Sequence, residues 1–304
     1  MGKKTKKVLK YLMDNPGTKT STVAAATGVS KRLVRYAKES MRGIGDSAKI
    51  LFLDIETSPC EVYVWGLYKQ QIPIGNLIKD WSLLSYAAMW LGDDEIISER
   101  VTTTEAHDRT DYNMLLGLWT LLNTADIVVA HNGVRFDVRK INARFVEFGI
   151  IPPAPYQVVD TLKVVQRNFY FTSHKLEHVA KILDTEIKDK TTFDLWKRCV
   201  TGDESALIEM EKYNRQDVVV LKEVYLAIRP WIKSHANLGL YTDHSEPVCA
   251  NCGSAKLIQE DKLYITPANK YVTYRCEDCG AISRSRYSSL TKEDRKNLII
   301  SVAR

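Results

Sequence analysis

The sequence has 304 residues, of which 45% are apolar, and it carries a formal net charge of +6. A chain of this length can bury more than one hydrophobic core, and its apolar runs are shorter than the roughly 18 residues that a membrane-spanning helix needs. These features exclude a membrane-embedded protein, and without an apolar leader we expect a cytoplasmic one. In that compartment the six cysteines are expected to be metal ligands or free thiols.

The charge is unevenly distributed along the chain. Residues 1–43 carry 11 lysines and arginines against 2 acidic residues, and residues 244–304 carry 10 against 7. The acidic residues are therefore concentrated in the middle, which suits cations, while the basic ends suit polyanions such as nucleic acid. An ordinary solvated surface is the alternative interpretation.

Residues 1–43 have the pattern of a small all-α domain. Apolar spacing predicts helices over residues 4–15, 20–27 and 30–41. The small residue Ala24, followed by Gly28 and then the aliphatic Val34, is typical of a helix-turn-helix. We expect the third helix to bind nucleic acid, although a protein-docking domain with a solvated basic face would show the same pattern. The expected nucleic-acid-binding residues here are Lys31, Arg32, Arg35 and Lys38.

A glycine-bearing linker over residues 44–49 leads to an apolar run that contains two carboxylates. The run lacks helical spacing and predicts a buried strand, on which Asp54 and Glu56 project from the same face. Two adjacent carboxylates in such a strand repel each other and are costly to desolvate, unless a divalent cation such as Mg²⁺ or Mn²⁺ binds them. The alternative is a strand end at which both carboxylates reach solvent.

Residues 60–92 are rich in aromatic residues and poor in charge. Residues 83–89 predict a core strand, and core packing is the expected role of each single aromatic side chain. The alternative for Trp65 and Tyr68 is stacking on the end of a nucleic acid.

Two later segments supply further acids. A strand predicted over residues 126–131 is followed by Asp137 at the start of a helix, where α/β sheets collect functional side chains. The alternative for Asp137 is a helix N-terminal acid favoured by the helix dipole. A long helix, or two helices, predicted over residues 206–228 places Tyr213 and Asp217 on one face.

Together these segments resemble the tyrosine-bearing subclass of the proofreading-type (DEDD) 3′–5′ exonucleases. That family carries an Asp-x-Glu strand, an Asn-x3-Phe-Asp segment and a Tyr-x3-Asp helix, and the motifs occur here in the same order over roughly residues 49–232. The resemblance implies an RNase H-like α/β domain over residues 50–235, with a mixed five-stranded sheet and helices on both sides. The matching residues are Asp54, Glu56, Asn132, Phe136, Asp137, Tyr213 and Asp217.

The resemblance also implies two Mg²⁺ or Mn²⁺ ions, which stabilise charge on the attacking and leaving oxygens of a phosphodiester. By similarity, Asp54 would bridge both ions, and Glu56 and Asp217 would complete the more tightly held one. Asp137 would hold the second ion through water, and Tyr213 would orient the attacking water. The expected nucleic-acid contacts of this domain are Asn132, Arg139 and Lys140.

The C-terminal region contains two Cys-x2-Cys-Gly knuckles within residues 244–290. Four thiolates in this pairing predict a tetrahedral cage for one structural Zn²⁺, and the module resembles a zinc ribbon. Disulfides are the alternative, and whether the ribbon grips nucleic acid or protein is left open. A basic tail over residues 291–304 is expected to form a short helix or strand. The zinc ligands are Cys249, Cys252, Cys276 and Cys279.

The expected function is therefore a metal-dependent 3′–5′ exonuclease that releases nucleoside monophosphates. We expect DNA rather than RNA, because helix-turn-helix domains dock in the major groove of DNA. The alternatives are a catalytically inactive nucleic-acid-binding regulator and an accessory subunit with replication or repair partners. Residues 77–86 resemble nucleases encoded by bacteriophages, which implies a phage origin and the host cytoplasm or nucleoid as location.

Overall fold

The computed structural model describes residue 11, residues 18–29, residue 34, and residues 48–185, 191–242 and 244–302. The chain divides into two compact units, one of residues 1–43 and 49–225 and one of residues 44–48 and 226–304. Within the described ranges, no helix combines the length and apolar character that crossing a bilayer demands.

The first unit is built on a mixed five-stranded sheet. In chain order, the strands in the described part of this unit are β1 (Ile50–Thr57), β2 (Glu61–Val62), β3 (Leu77–Lys79), β4 (Leu83–Trp90), β5 (Ile96–Arg100), β6 (Ile127–Ala130) and β7 (Gln157–Asp160). The sheet order is β5-β4-β1-β6-β7, while β2 and β3 form a separate two-stranded pair. The β1–β4 and β4–β5 pairs are antiparallel, and the β1–β6 and β6–β7 pairs are parallel. This topology confirms the predicted mixed sheet.

The helices agree closely with the apolar periodicity of the sequence. The segment predicted over residues 206–228 is one continuous helix with an apolar face of buried valines and leucines. The helices are α1 (Thr20–Thr27), α2 (Thr103–Asp108), α3 (Tyr112–Thr124), α4 (Asp137–Glu147), α5 (Thr161–Asn168), α6 (Leu176–Ile182), α7 (Phe193–Val200) and α8 (Glu204–Ile228).

Alternate side chains of β1 enter the core on opposite faces of the sheet. Leu51 and Leu53 belong to the main apolar cluster, which also contains buried side chains of α3, α4 and the first half of α8. Phe52 projects from the other face and contacts Tyr225 of α8 edge-to-face, with 5.3 Å between ring centroids. Helices therefore cover both faces, as the RNase H-like fold class requires.

A buried ion pair joins the start of α3 to α4. The guanidinium of Arg144 contacts both carboxylate oxygens of Asp111 at 2.8 to 3.1 Å, and both side chains are almost fully buried. Asp111 also accepts a hydrogen bond of 2.8 Å from the backbone N–H of Leu83. The pair is thus connected to the first residue of β4, the strand that pairs with the central strand β1.

The described part of the N-terminal region agrees with the predicted turn. Helix α1 ends at Thr27 and is capped by Gly28, whose φ of 69° is the left-handed conformation that favours glycine. The side chains of Ala24 and Val34 are buried in one small cluster with Val23. Apart from residues 11 and 34, the helices predicted over residues 4–15 and 30–41, with the four basic residues of the latter, lie outside the described residues.

The second unit contains a three-stranded antiparallel sheet with the order β10-β9-β8. Its strands are β8 (Leu257–Thr266), β9 (Asn269–Cys276) and β10 (Ile282–Arg284), and β8 and β9 form a hairpin. In the basic tail, α9 (Lys292–Lys296) begins with a capping box between Thr291 and Asp294.

Candidate active site and metal centres

Strand β1 and helix α8 place three of the predicted acids together. Asp54 and Glu56 share one face of β1, and Asp217 projects from α8 beside the buried Val218. Each of the three carboxylates offers an oxygen, and these oxygens all lie within 4.8 Å of one another. Three hard oxygen donors at this spacing repel one another without a cation and suit Mg²⁺ or Mn²⁺, so the residues fit the expected group.

Asp137, the fourth predicted acid, lies against the same strand without joining the three-carboxylate cluster. It is the first residue of α4 and is only 2% exposed. Its Oδ1 accepts a hydrogen bond of 3.2 Å from the backbone N–H of Ile55, the residue between Asp54 and Glu56. Burial raises the pKa of Asp137 to about 7, against the lowering effect of this hydrogen bond.

Asn214 is a component of the site that the sequence patterns did not identify. This fully buried side chain donates from Nδ2 to Oδ2 of Asp54 at 2.5 Å, and its Oδ1 accepts from the hydroxyl of Ser85 at 3.2 Å. Ser85 lies on β4 directly opposite Glu56. The one signal in the sequence that could have identified Asn214 is its position next to Tyr213 in the Tyr-x3-Asp motif.

Tyr213 lies near the acids, as its spacing from Asp217 predicts. Burial is the main cause that raises the pKa of its phenol, and the negative charges of Asp217 and Glu56 raise it further. The phenol therefore stays a neutral hydroxyl at any ordinary pH. Its ring packs edge-to-face on Trp196, with 6.1 Å between centroids, and its hydroxyl is hydrogen-bonded to Thr191.

Asp160 fixes the loop that leads from β6 to Asp137. Its carboxylate caps α5 and accepts hydrogen bonds from the backbone N–H groups of Asn132 and Val134 at 3.0 and 3.2 Å. Asn132 has a φ of 71°, a conformation that asparagine tolerates better than most residues. A Cβ at Gly133 would meet the Cβ of Ala130 at 2.5 Å, so only glycine fits there.

The predicted nucleic-acid contacts of α4 have unequal environments. Arg139 is exposed, whereas the ammonium of Lys140 lies 3.5 Å from the centre of the Trp81 ring in a cation–π contact. Burial lowers the pKa of Lys140, although Asp80 opposes this effect. Contact of Asn132, Arg139 and Lys140 with nucleic acid stays a prediction.

The four cysteines of the two knuckles form a second donor cluster. Their sulfurs lie within 4.8 Å of one another, with 3.7 Å between Cys249 and Cys279 and 3.5 Å between Cys252 and Cys276. These distances are far longer than a disulfide bond, and all four cysteines are free thiols. Four sulfur donors in one cluster fit a tetrahedral Zn²⁺ with no open position.

The glycines of both knuckles allow the chain to fold around this cluster. Gly253 and Gly280 have φ values of 78° and 73°. Their N–H groups donate at 2.8 and 2.9 Å to the carbonyls of Cys249 and Cys276, respectively. A residue with a side chain would be strained at either position.

Comparison with known proteins agrees with this fold. The family described as the RNase_H superfamily matches residues 51–229. That match covers more than half of the chain, and the chain belongs to the RNase_H superfamily.

Parts of two polymerases are similar to this chain. DNA polymerase III PolC-type of Ureaplasma parvum serovar 3 is 25% identical over 114 residues, which are 37% of this chain and 8% of that protein. The structure of the family B DNA polymerase from the hyperthermophilic archaeon Pyrobaculum calidifontis matches with a TM-score of 0.42 and 13% identity, covering 60% of this chain and 25% of that chain. The chain thus spans only a small part of the length of either polymerase.

Proposed function

We propose that this protein is a metal-dependent 3′–5′ exonuclease that hydrolyses nucleic acid and releases nucleoside monophosphates. The observation that carries the proposal is the cluster of Asp54, Glu56 and Asp217 at one end of an RNase H-like sheet. Similarity of part of the chain to a PolC-type DNA polymerase supports nucleic acid as the substrate. The order of the three motifs supports the 3′–5′ polarity.

The acids define where the cations would bind. Asp54, Glu56 and Asp217 would hold one ion, and Asp137 would help Asp54 to hold the other. When bound, two Mg²⁺ or Mn²⁺ ions would stabilise the charge that develops on the attacking and leaving oxygens of the phosphodiester.

The remaining side chains position the reactants. The phenol of Tyr213 is neutral and can donate or accept a hydrogen bond, so it would orient the attacking water near Asp217 and Glu56. Asn214 holds one oxygen of Asp54 and thereby fixes the direction of the other. The loop held by Asp160 carries Asn132, whose side chain would contact the substrate strand.

Two small regions outside the nuclease domain would keep the substrate bound near the active site for longer. We assign the helix-turn-helix pattern of residues 1–43 and the four-cysteine module of residues 244–290 to nucleic-acid binding, with one structural Zn²⁺ in the latter. Tethered weak binding sites raise the local concentration of substrate without new contacts in the active site. DNA is the favoured polymer, since the turn pattern suits the major groove, and RNA is the alternative.

The proposal is tested with single-stranded and duplex DNA and with RNA of matching sequence, labelled at the 5′ end and incubated with Mg²⁺ or Mn²⁺. We expect a ladder that shortens from the 3′ end, and immediate release of a mononucleotide from 3′-labelled substrate. The Asp54→Asn, Glu56→Gln double variant should show neither. Internal cleavage, or equal activity in the double variant, would overturn the proposal, and tight binding without cleavage would indicate a binding protein.

A further inference from the structure

The segment between β2 and β3, here called the aromatic arm (residues 63–76), exposes an unusual amount of apolar surface. Trp65 is 100% exposed and Tyr68 is 86% exposed. Single exposed apolar side chains are common on folded proteins, but so many on one short segment are typical of a binding surface. The other exposed apolar side chains of the arm are Tyr63, Val64, Leu67, Ile72 and Ile74.

The root of the arm is firmly attached although its tip is exposed. The backbones of Tyr63 and Asn76 are joined at 2.9 Å, and the amide of Asn76 donates to the Tyr63 carbonyl at 3.0 Å. Ser58, which precedes β2 in the chain, and Ser82, which follows β3, are both buried and exchange hydrogen bonds of 2.9 Å. The aromatic side chains are therefore presented on an anchored hairpin.

The arm and the β2–β3 pair that holds it connect two strands of the candidate active site. They lie in the chain between β1, which carries Asp54 and Glu56, and β4, which carries Ser85 opposite Glu56. Between residues 62 and 78 the chain has no acidic residue, and Lys69 is its one charged side chain. The surface is therefore aromatic and free of negative charge, which suits the faces of nucleobases beside a phosphate backbone.

We propose that the aromatic arm stacks on bases of the single strand whose 3′ end lies at the acid cluster, with Trp65 and Tyr68 as the stacking residues. This inference rests on the proposed function only for the identity of the strand. Such stacking is tolerant of sequence, because every base has an aromatic face. It would select unpaired ends, since bases in a duplex are already stacked on one another.

The test measures binding in an Asp217→Asn background, where the strand is not cleaved. Fluorescence anisotropy would compare intact single-stranded DNA with strands that carry one abasic nucleotide at successive positions from the 3′ end. We expect Trp65→Ala, Tyr68→Ala to weaken binding of the intact strand by about tenfold, and Trp65→Phe, Tyr68→Phe to retain most of the affinity. The exposed Tyr170→Ala is the matched control and should bind as the parent does.

The abasic series identifies the contact. If the arm stacks on a base, removing that base weakens the parent but not the Trp65→Ala, Tyr68→Ala variant. Equal losses in both proteins at every position would overturn the proposal, as would a change of oligomeric state on mutation with unchanged DNA affinity. Because cleavage is not the readout, this outcome is independent of whether the wild-type protein proves to be an exonuclease.

Discussion

The amide of Asn214 donates a hydrogen bond to the carboxylate of Asp54. This bond joins helix α8, which also carries Asp217, to strand β1, which also carries Glu56. The same amide accepts from Ser85 on the neighbouring strand. Because a buried amide with both ends bonded has one stable orientation, it fixes the carboxylate of Asp54.

Replacing this amide should therefore weaken metal binding. We expect Asn214→Leu to lower Mn²⁺ affinity or nuclease activity by about 10- to 100-fold, the usual effect of losing a group that orients a metal ligand. The exposed Asn113→Leu should change neither. Unchanged Mn²⁺ affinity in a folded Asn214→Leu protein would show that Asp54 needs no such support.

Tyr213 should act through its hydroxyl group. We expect Tyr213→Phe to reduce kcat by about 100-fold with little change in KM, because the attacking water loses its orientation while substrate contacts persist. Thr191→Val, which removes only the partner of the hydroxyl, should have a smaller effect. A proportional rise in KM without loss of kcat would instead assign Tyr213 to substrate binding.

The buried pair of Arg144 and Asp111 should matter for stability. Arg144→Met leaves the Asp111 carboxylate buried without its cation, so we expect the free energy of unfolding to fall by about 3–5 kcal/mol in urea titrations. Arg139→Met on the same helix removes an exposed guanidinium and is the control. Asp111→Asn combined with Arg144→Met should recover part of the loss, and no recovery would contradict this account.

His131 should make stability depend on pH. Burial lowers its pKa below the ordinary 6.5, although the His174 carbonyl and Asp160 oppose this effect. As the pH falls, His131 therefore takes up its proton at a higher pH in the unfolded chain than in the native protein. The contribution of the neutral imidazole to the free energy of unfolding is complete above pH 6.5 and is lost as the pH falls below that value. The free energy of unfolding should decrease more steeply between about pH 7 and 5 in the wild type than in His131→Gln. Parallel curves of unfolding free energy against pH for the wild type and His131→Gln would contradict the assignment of this pH dependence to His131. An equal change of slope in the exposed His107→Gln would contradict it too.

The cysteine cluster should contain one zinc ion. We expect Cys252→Ser to reduce the bound zinc and to unfold the ribbon hairpin, because binding energy at a structural site contributes to folding. Cys60→Ser is the matched control, since Cys60 is an exposed thiol outside the cluster. Elemental analysis and limited proteolysis report the two effects, and equal zinc content in both variants would contradict the cage.

Local patterns were sufficient for the main features of the fold. An apolar run without helical spacing predicted β1, and the alternation of side chains along a strand then placed Asp54 and Glu56 on one face. The cysteine spacing predicted the four-cysteine cluster. These features depend on neighbours in the chain, so they can be read without the tertiary structure. The three-carboxylate cluster then follows from the order of the motifs.

Features that depend on distant pairings could not be read in this way. Asn214 meets Ser85 only because β4 pairs with β1 and α8 packs beside them, and no local pattern encodes that. The expectation that the aromatic residues of 60–92 are core side chains is correct for Tyr86 but wrong for Trp65 and Tyr68. Aromatic composition does not distinguish a core strand from an exposed arm, because both avoid charge.

The most direct test of the metal-dependent active site is Mn²⁺ binding measured by calorimetry on the wild type, Asp217→Asn and the exposed Glu177→Gln, with release of mononucleotide assayed on the same samples. We expect the wild type and Glu177→Gln to bind Mn²⁺ and to degrade single-stranded DNA from its 3′ end, and Asp217→Asn to lose both. Full Mn²⁺ binding and cleavage by Asp217→Asn would contradict the account.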